Sequence, residues 1–447
     1  MTHVLPTGAG RREGGRFTLT FGDTPYGGRR DIFARMRNLR TSVLTAVSFA
    51  AVFLLITAVR PGAEPLDSAR GEQAKPSSTA APAFKVDPSW PQEMPNHWIM
   101  GSVTGVFVDS KQHVWVTHLP ETLTEEELYE EPWNVVTPPA PAGGRGGAAP
   151  TAAAAPKEKP MQIGTCCKAA PPVLEFDQAG KLVQGWGQGS YDDMTNWPRE
   201  PHGIFVDHQD NVWIGSFNRH RVMKFTRDGK LLLTLGEYEK TNGSADTKLL
   251  GGPSGIWVDP KTNEAFISDG YRNRRIIVFD GATGKYLRHW GAYGNVPDDT
   301  DKFDPKSMVS GGLPKQFSTP HGITGSRDGK IYVADRRGNR VQVFDQQGKF
   351  LAEKVIAPAT LSSGSAFVPV LSVDPQQQWL YMADGTNHKV WILRRSDLEI
   401  VGEFGRGGRQ LGQFLRPHGM SIDNQGNLYV GEASTGRRVQ KFTLVRR

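Results

Sequence analysis

The stretch "PHGIFVDHQDNVWIG", Pro201–Gly215, returns as "PHGITGSRDGKIYVA", Pro320–Ala334, and as "PHGMSIDNQGNLYVG", Pro417–Gly431. In each, a short apolar run ends at a polar turn and a second apolar run follows, the pattern of two strands and a tight connection. Three further stretches align on the aspartate that usually closes the first run. They are "VTGVFVDSKQHVWVTH" from Val103, "PSGIWVDPKTNEAFISD" from Pro253 and "VPVLSVDPQQQWLYMAD" from Val368.

Each unit continues into a third strand, such as "RVMKF", "RIIVFD", "RVQVFD" or "RVQKF". An outer strand ending in Gly often follows: "KLLLTLG", "KYLRHWG", "EIVGEFG". Four strands per unit make a blade, and six units spaced about 48 to 67 residues apart after the first predict an all-β, six-bladed β-propeller. Asp269, Asn273 and Arg275, like Asp335, Asn339 and Arg340, resemble the NHL repeat. The last unit ends too soon for an outer strand, and "FKVDP" from Phe84 is placed to supply it.

Composition agrees with this class. The chain has 447 residues, 38% of them apolar, with 51 Gly and 31 Pro, which suits many short strands and turns. The net charge of +7 is concentrated in the first 40 residues, where eight Arg face Glu13, Asp23 and Asp31. The remainder is nearly neutral, so no basic stripe suits a nucleic acid.

Four segments precede or interrupt the repeats. Residues 1–40 read as a basic cytoplasmic segment, and "TSVLTAVSFAAVFLLITAV", residues 41–59, is long enough to cross a bilayer. The arginines before it place the N-terminus inside and the propeller outside, periplasmic or extracellular. The absence of a clean small-residue cleavage site favours an uncleaved membrane anchor over a removed signal peptide, although Met36 offers an ordinary-length leader and "GRRDIF" hints at a twin-arginine signal. Residues 60–83 read as a flexible linker, residues 84–447 as the propeller, and residues 137–160 as a disordered insert in its first unit. Cys166 and Cys167 are the only cysteines; adjacent, they cannot staple distant segments. They read as two small residues, with a soft-metal or redox role as the alternative.

The innermost strand of a propeller blade lines the central channel. At the first aligned position of that strand the six units carry Thr104, His202, Ser254, His321, Pro369 and His418. Alternate blades lie about 120° apart, so His202, His321 and His418 converge on the axis at one height. Three nitrogen donors with a free fourth position suit a catalytic metal such as zinc. One Pro-His-Gly alone reads as a turn; three in alternation point to a metal site. His3, His97, His113, His208, His220, His289 and His388 read as surface or turn residues, while His118 stands apart because it ends a second strand. The ends of the second strands return to the histidine rim, bringing Tyr271 and Arg336 there. A phenol beside a cation can serve as a base and an arginine can hold a carboxylate; ordinary rim decoration is the other reading of both.

These segments resemble peptidyl-α-hydroxyglycine α-amidating lyase (peptidylamidoglycolate lyase), the lyase domain of peptidylglycine α-amidating enzymes. "SDGYRNRRIIVF", "QFSTPHG", "VADRRGNRVQVF" and "RPHGMSIDNQGNLYVGEASTGRRVQKFTL" carry the resemblance, which spans most of residues 84–444. It implies zinc on His202, His321 and His418, Tyr271 as base, Arg336 on the substrate carboxylate, and C–N cleavage releasing glyoxylate. The departures are specific. Leu119 stands where the family has a second catalytic arginine, and Gly419 where an acidic residue holds a structural calcium, so calcium is not expected. Arg416 stands in place of an apolar pocket residue and is a third catalytic candidate. It either replaces the lost guanidinium or marks a site for a more anionic substrate. The family's disulfides are missing.

The expected function is a metal-dependent lyase acting, as a monomer, on a small-molecule or peptide substrate with a carboxylate. Two alternatives remain: a noncatalytic NHL scaffold, and another metal-dependent propeller enzyme such as a lactonase. The lactonase reading is disfavoured because such sites lean on carboxylate and amide ligands.

Overall fold

A computed structural model of the protein describes residues 80–128, 166–187 and 196–446. The basic start, the apolar stretch at 41–59, nearly all of the linker and the insert at 137–160 lie outside the described residues. Among the described residues no helix is long and apolar enough to cross a membrane.

Six four-stranded antiparallel sheets stand around a common axis, each innermost strand against the next, the sixth against the first. The innermost strands are Ser102–Val108, Pro201–Val206, Pro253–Val258, Pro320–Gly325, Val368–Leu371 and Pro417–Ile422, numbered here as blades 1 to 6. Five blades take their four strands in chain order. Blade 6 takes its outer strand from Ala83–Asp87, which pairs antiparallel with Arg438–Val445 and sets Phe84 opposite Leu444. The two ends of the repeat region are thereby tied together within one sheet, so the ring has no open seam.

Position in the blade sets the burial pattern. The second and third strands lie between neighbouring sheets and are buried on both faces, as in Val212–Ser216 and Arg221–Phe225. The outer strands alternate, as in Leu231–Leu235, where Leu232 faces solvent. Aromatic rings join one blade to the next: Phe107 meets Phe205 at 4.5 Å, and Trp90, just after the closing strand, meets Phe176 and Tyr429.

The aspartate used to align the repeats has a structural role. Asp207 accepts from the backbone N–H groups of Gln209 and Asn211 and from the indole of Trp213 in the next strand. Asp109 and Asp423 repeat the arrangement. Each carboxylate satisfies the donors of a tight turn and pins an aromatic ring behind it. Cys166 and Cys167, read as two small residues, are joined to each other in a disulfide. The bridge closes within one residue step, just before the short strand Lys168–Ala169, and ties no distant segments together.

Candidate metal centre

The Pro-His-Gly triplets open the innermost strands of blades 2, 4 and 6. Around the axis the ring centroids of His202, His321 and His418 lie 4.7 to 4.9 Å apart. One nitrogen from each lies within 4.8 Å of the others, and all three residues are buried.

The glycine of the triplet explains how the rings of His202 and His321 are aimed. A Cβ on Gly203 would lie 1.8 Å from the carbonyl oxygen of Ser254, and one on Gly322 would lie 2.6 Å from that of Phe367. Only glycine admits the neighbouring backbone this closely. Those same carbonyls accept from the histidines. His321 Nδ1 donates to Phe367 O at 2.9 Å, His202 bonds the Ser254 backbone, and His418 Nδ1 donates to Thr104 O at 2.9 Å. Since a carbonyl only accepts, Nδ1 carries the hydrogen and Nε2 keeps its lone pair toward the axis, the tautomer a metal requires. Burial holds all three imidazoles neutral, well below the usual histidine range for His202 and His321 and at about 3 for His418. Between the histidines, Thr104 and Ser254 donate hydroxyl hydrogen bonds to Pro201 O and His321 O, locking blades 1 and 3 to the next triplet.

Tyr271 and Arg336 both reach this centre. The Tyr271 hydroxyl lies 2.8 Å from His202 Nε2 and 3.3 Å from His321 Nε2, and Arg336 Nη1 donates to it at 3.1 Å. Burial pushes the phenol's pKa up, and the Arg336 and Arg416 guanidiniums oppose that rise. Arg336 is buried, stacked on Tyr271 and Phe367 at 5.0 and 5.1 Å, and its Nε has no partner. Arg416 stacks on Phe367 at 5.6 Å and donates to Ser363 Oγ at 2.9 Å. All six candidate site residues therefore gather at one end of the channel.

His118 does not join them. Its Nδ1 accepts from Gly101 N and its Nε2 donates to Pro171 O, so both nitrogens serve the first blade, and burial lowers its pKa to about 4. Leu119 brings no charge to the rim. Two walls escaped the sequence reading. Phe217 packs on His202 at 5.3 Å and on Tyr271 at 4.8 Å, and Phe367 packs on His321 and His418. Phe217 follows the end of its second strand as Arg336 follows its own, so its position carried a signal. Phe367 sits in an inter-blade loop, where the repeat gives none.

An NHL repeat family model matches residues 317–344, the inner part of blade 4. The chain is 28% identical over 254 residues to the peptidyl-glycine alpha-amidating monooxygenase of Mus musculus, covering 55% of this chain and 23% of that protein. It is 29% identical over 278 residues to peptidyl-alpha-hydroxyglycine alpha-amidating lyase 2 of Drosophila melanogaster, covering 60% and 59%. It is 26% identical over 284 residues to NHL repeat-containing protein 3 of Homo sapiens, covering 61% and 72%. The chain is thus a distant homologue of the amidating lyases, and it spans about a quarter of the length of the monooxygenase.

Proposed function

We propose that the protein is a metal-dependent lyase that cleaves the C–N bond of a peptidyl-α-hydroxyglycine or a similar α-hydroxy amide, giving an amide and glyoxylate. The observation that carries this reading is the Tyr271 hydroxyl, held between two axial imidazole nitrogens and a buried guanidinium.

The three imidazoles fit zinc: neutral nitrogen donors with fixed tautomers, close enough to share one ion. Held by His202, His321 and His418, zinc would supply Lewis acidity to this end of the channel and favour the ionised form of a phenol beside it. Tyr271, as phenolate, removes the proton of the substrate hydroxyl. The freed electron pair forms the C=O bond of glyoxylate while the C–N pair leaves with nitrogen, which takes up the proton to complete the amide. Arg336 holds the substrate carboxylate and keeps the C–N bond in line. Phe217 and Phe367 shield the centre from water.

The lactonase reading finds no support in the donor set, since the cluster holds histidines alone. The noncatalytic reading is favoured by Leu119, which leaves the rim one guanidinium short of the amidating lyases. We place the propeller outside the cytoplasm, tethered through residues 41–59 and monomeric; fractionation of the full chain and its sedimentation test both.

Metal analysis and turnover decide among these readings. The lyase reading requires about one zinc per chain, glyoxylate release from an α-hydroxyglycine peptide, and loss of both in His321→Ala. Zinc without glyoxylate release would leave a binding scaffold, and equal metal content in wild type and variant would remove the metal centre itself.

A further inference from the structure

Around the centre the charge is of one sign. Arg336 comes from blade 4 and Arg416 from the start of blade 6, and both guanidiniums stack on the ring of Phe367, which leads into blade 5 between them. Among the described residues neither arginine is in an ion pair, although Arg275 and Arg340 in the same rim are each paired with a buried aspartate. Arg336 is 7% exposed, spends one hydrogen bond on a phenol and leaves Nε unpartnered. The hydrogen bond that Arg416 makes is to a neutral hydroxyl, Ser363. The backbone of Arg416 is held at φ 146°, a conformation left to glycine in most proteins. A cation kept in a strained backbone, beside a second buried cation and without a counter-charge, has an anion as its natural complement.

We propose that Arg336 and Arg416 form a two-guanidinium clamp that selects dianionic substrates, with one carboxylate on the hydroxyglycine carbon and a second on the acyl group released as the amide. This deepens the lyase reading and rests on it for the identity of the first carboxylate. The clamp divides the work by position. Arg336 is tied to Tyr271 and the histidines, so it takes the carboxylate beside the reacting carbon. Arg416 comes from blade 6, stacked on Phe367 and held to Ser363, and in the clamp it takes the group beyond the scissile bond. A monoanionic substrate leaves Arg416 desolvated and unmatched, which penalises its binding. Selection then comes from discrimination against the neutral acyl group as well as attraction to the acidic one.

The test compares succinate with butyrate, which share a four-carbon chain and differ by one carboxylate. Binding of each to the zinc-loaded full chain is measured by calorimetry, alongside turnover of N-succinyl- and N-butyryl-α-hydroxyglycine. The clamp requires succinate to bind about tenfold or more tighter than butyrate. In Arg416→Met that ratio should fall to within about twofold, with zinc content unchanged. Ser363→Ala, which keeps the cation and removes the hydroxyl that orients it, should lower the ratio part of the way and serves if Arg416→Met does not fold. Equal affinities in wild type overturn the clamp. So does an equal loss of both ligands in Arg416→Met, which would mean that both arginines grip a single carboxylate. Preference for succinate with no turnover of either hydroxyglycine would retain the clamp and reject the lyase; turnover of both at equal efficiency with equal binding would do the reverse.

Discussion

Arg336 and Arg340 stand four residues apart in blade 4, both buried, and their surroundings are opposite. Arg340 donates to Asp335 at 3.0 Å and to the carbonyls of Pro314 and Gln316, with Tyr293 stacked on it. Asp335 in turn accepts from the backbone of Ser318 and Thr319, so the cluster closes on itself. Arg275 repeats this with Asp269 and the carbonyls of Ser244 and Leu249 in blade 3. Arg336 has a phenol, two aromatic faces and an unpartnered Nε. A buried charge with every partner supplied specifies the loop around it, whereas one left incomplete is poised for something that arrives later.

The largest effect expected from this contrast is on turnover. Tyr271→Phe removes the one oxygen that touches both His202 and His321. Loss of a general base is typically worth about 10²- to 10⁴-fold, so glyoxylate release should fall by that order while zinc content and the unfolding midpoint stay put. Unchanged release would move the base elsewhere and return Tyr271 to the wall of the channel.

Stability should respond at the closed cluster. Arg340→Met strands Asp335, whose carboxyl burial already holds above the usual range against the pull of Arg340. Removing one member of a buried pair costs about 3–5 kcal/mol, read as a lowered midpoint in denaturant. A shift within about 0.5 kcal/mol would show that the repeat's ionic cluster is ornamental.

Four of the five buried histidines draw the same line; the fifth, His220, read from the sequence as a surface or turn residue, is buried at a blade turn. His118 has both nitrogens bonded within the fold, and the axial three keep Nε2 directed at the channel. His118 is pushed down to about 4 from an ordinary 6.5, so between those values the unfolded chain binds the extra proton. Its contribution to stability is therefore present above pH 6.5 and is lost as pH falls through 4, an effect of roughly 3 kcal/mol at most. His118→Gln can reproduce the bonds to Gly101 and Pro171 without titrating, and should flatten that part of the acid limb. Identical acid profiles for the two proteins would contradict the assignment.

The sequence carried the closed parts of this molecule better than the open ones. Repeat spacing gave the six blades, and the alternation of His202, His321 and His418 with Thr104, Ser254 and Pro369 gave the axial cluster. Both depend on a period, which survives wherever the backbone repeats. The reason for Pro-His-Gly was not legible, because the carbonyl that aims each ring belongs to the next blade, and only the folded ring brings Phe367 O to His321. Phe367 and Ser363 were missed for a related reason. They lie in the loop between blades 4 and 5, which follows no period, yet they seat both arginines.

The smallest effect separates the two arginines of blade 4 most sharply. Replacing Arg336 with Met takes a guanidinium out of a buried site and leaves behind no stranded carboxylate, only a phenol that retains contact with two imidazoles. What is lost is one neutral-acceptor hydrogen bond, about 1–2 kcal/mol, and stacking on two rings worth about 0.5–2 kcal/mol. What is relieved is the desolvation of an unpaired cation, which is several kcal/mol, together with its repulsion of Arg416. The balance favours the variant by about 1 kcal/mol, so Arg336→Met should raise the unfolding midpoint slightly where Arg340→Met lowers it. Carboxylate binding should fall at the same time, since the methionine fills the volume and offers no donor. A gain in stability with a loss of binding is the mark of a residue retained for its ligand. Two arginines that destabilise alike when replaced would instead make Arg336 one more structural member of the repeat.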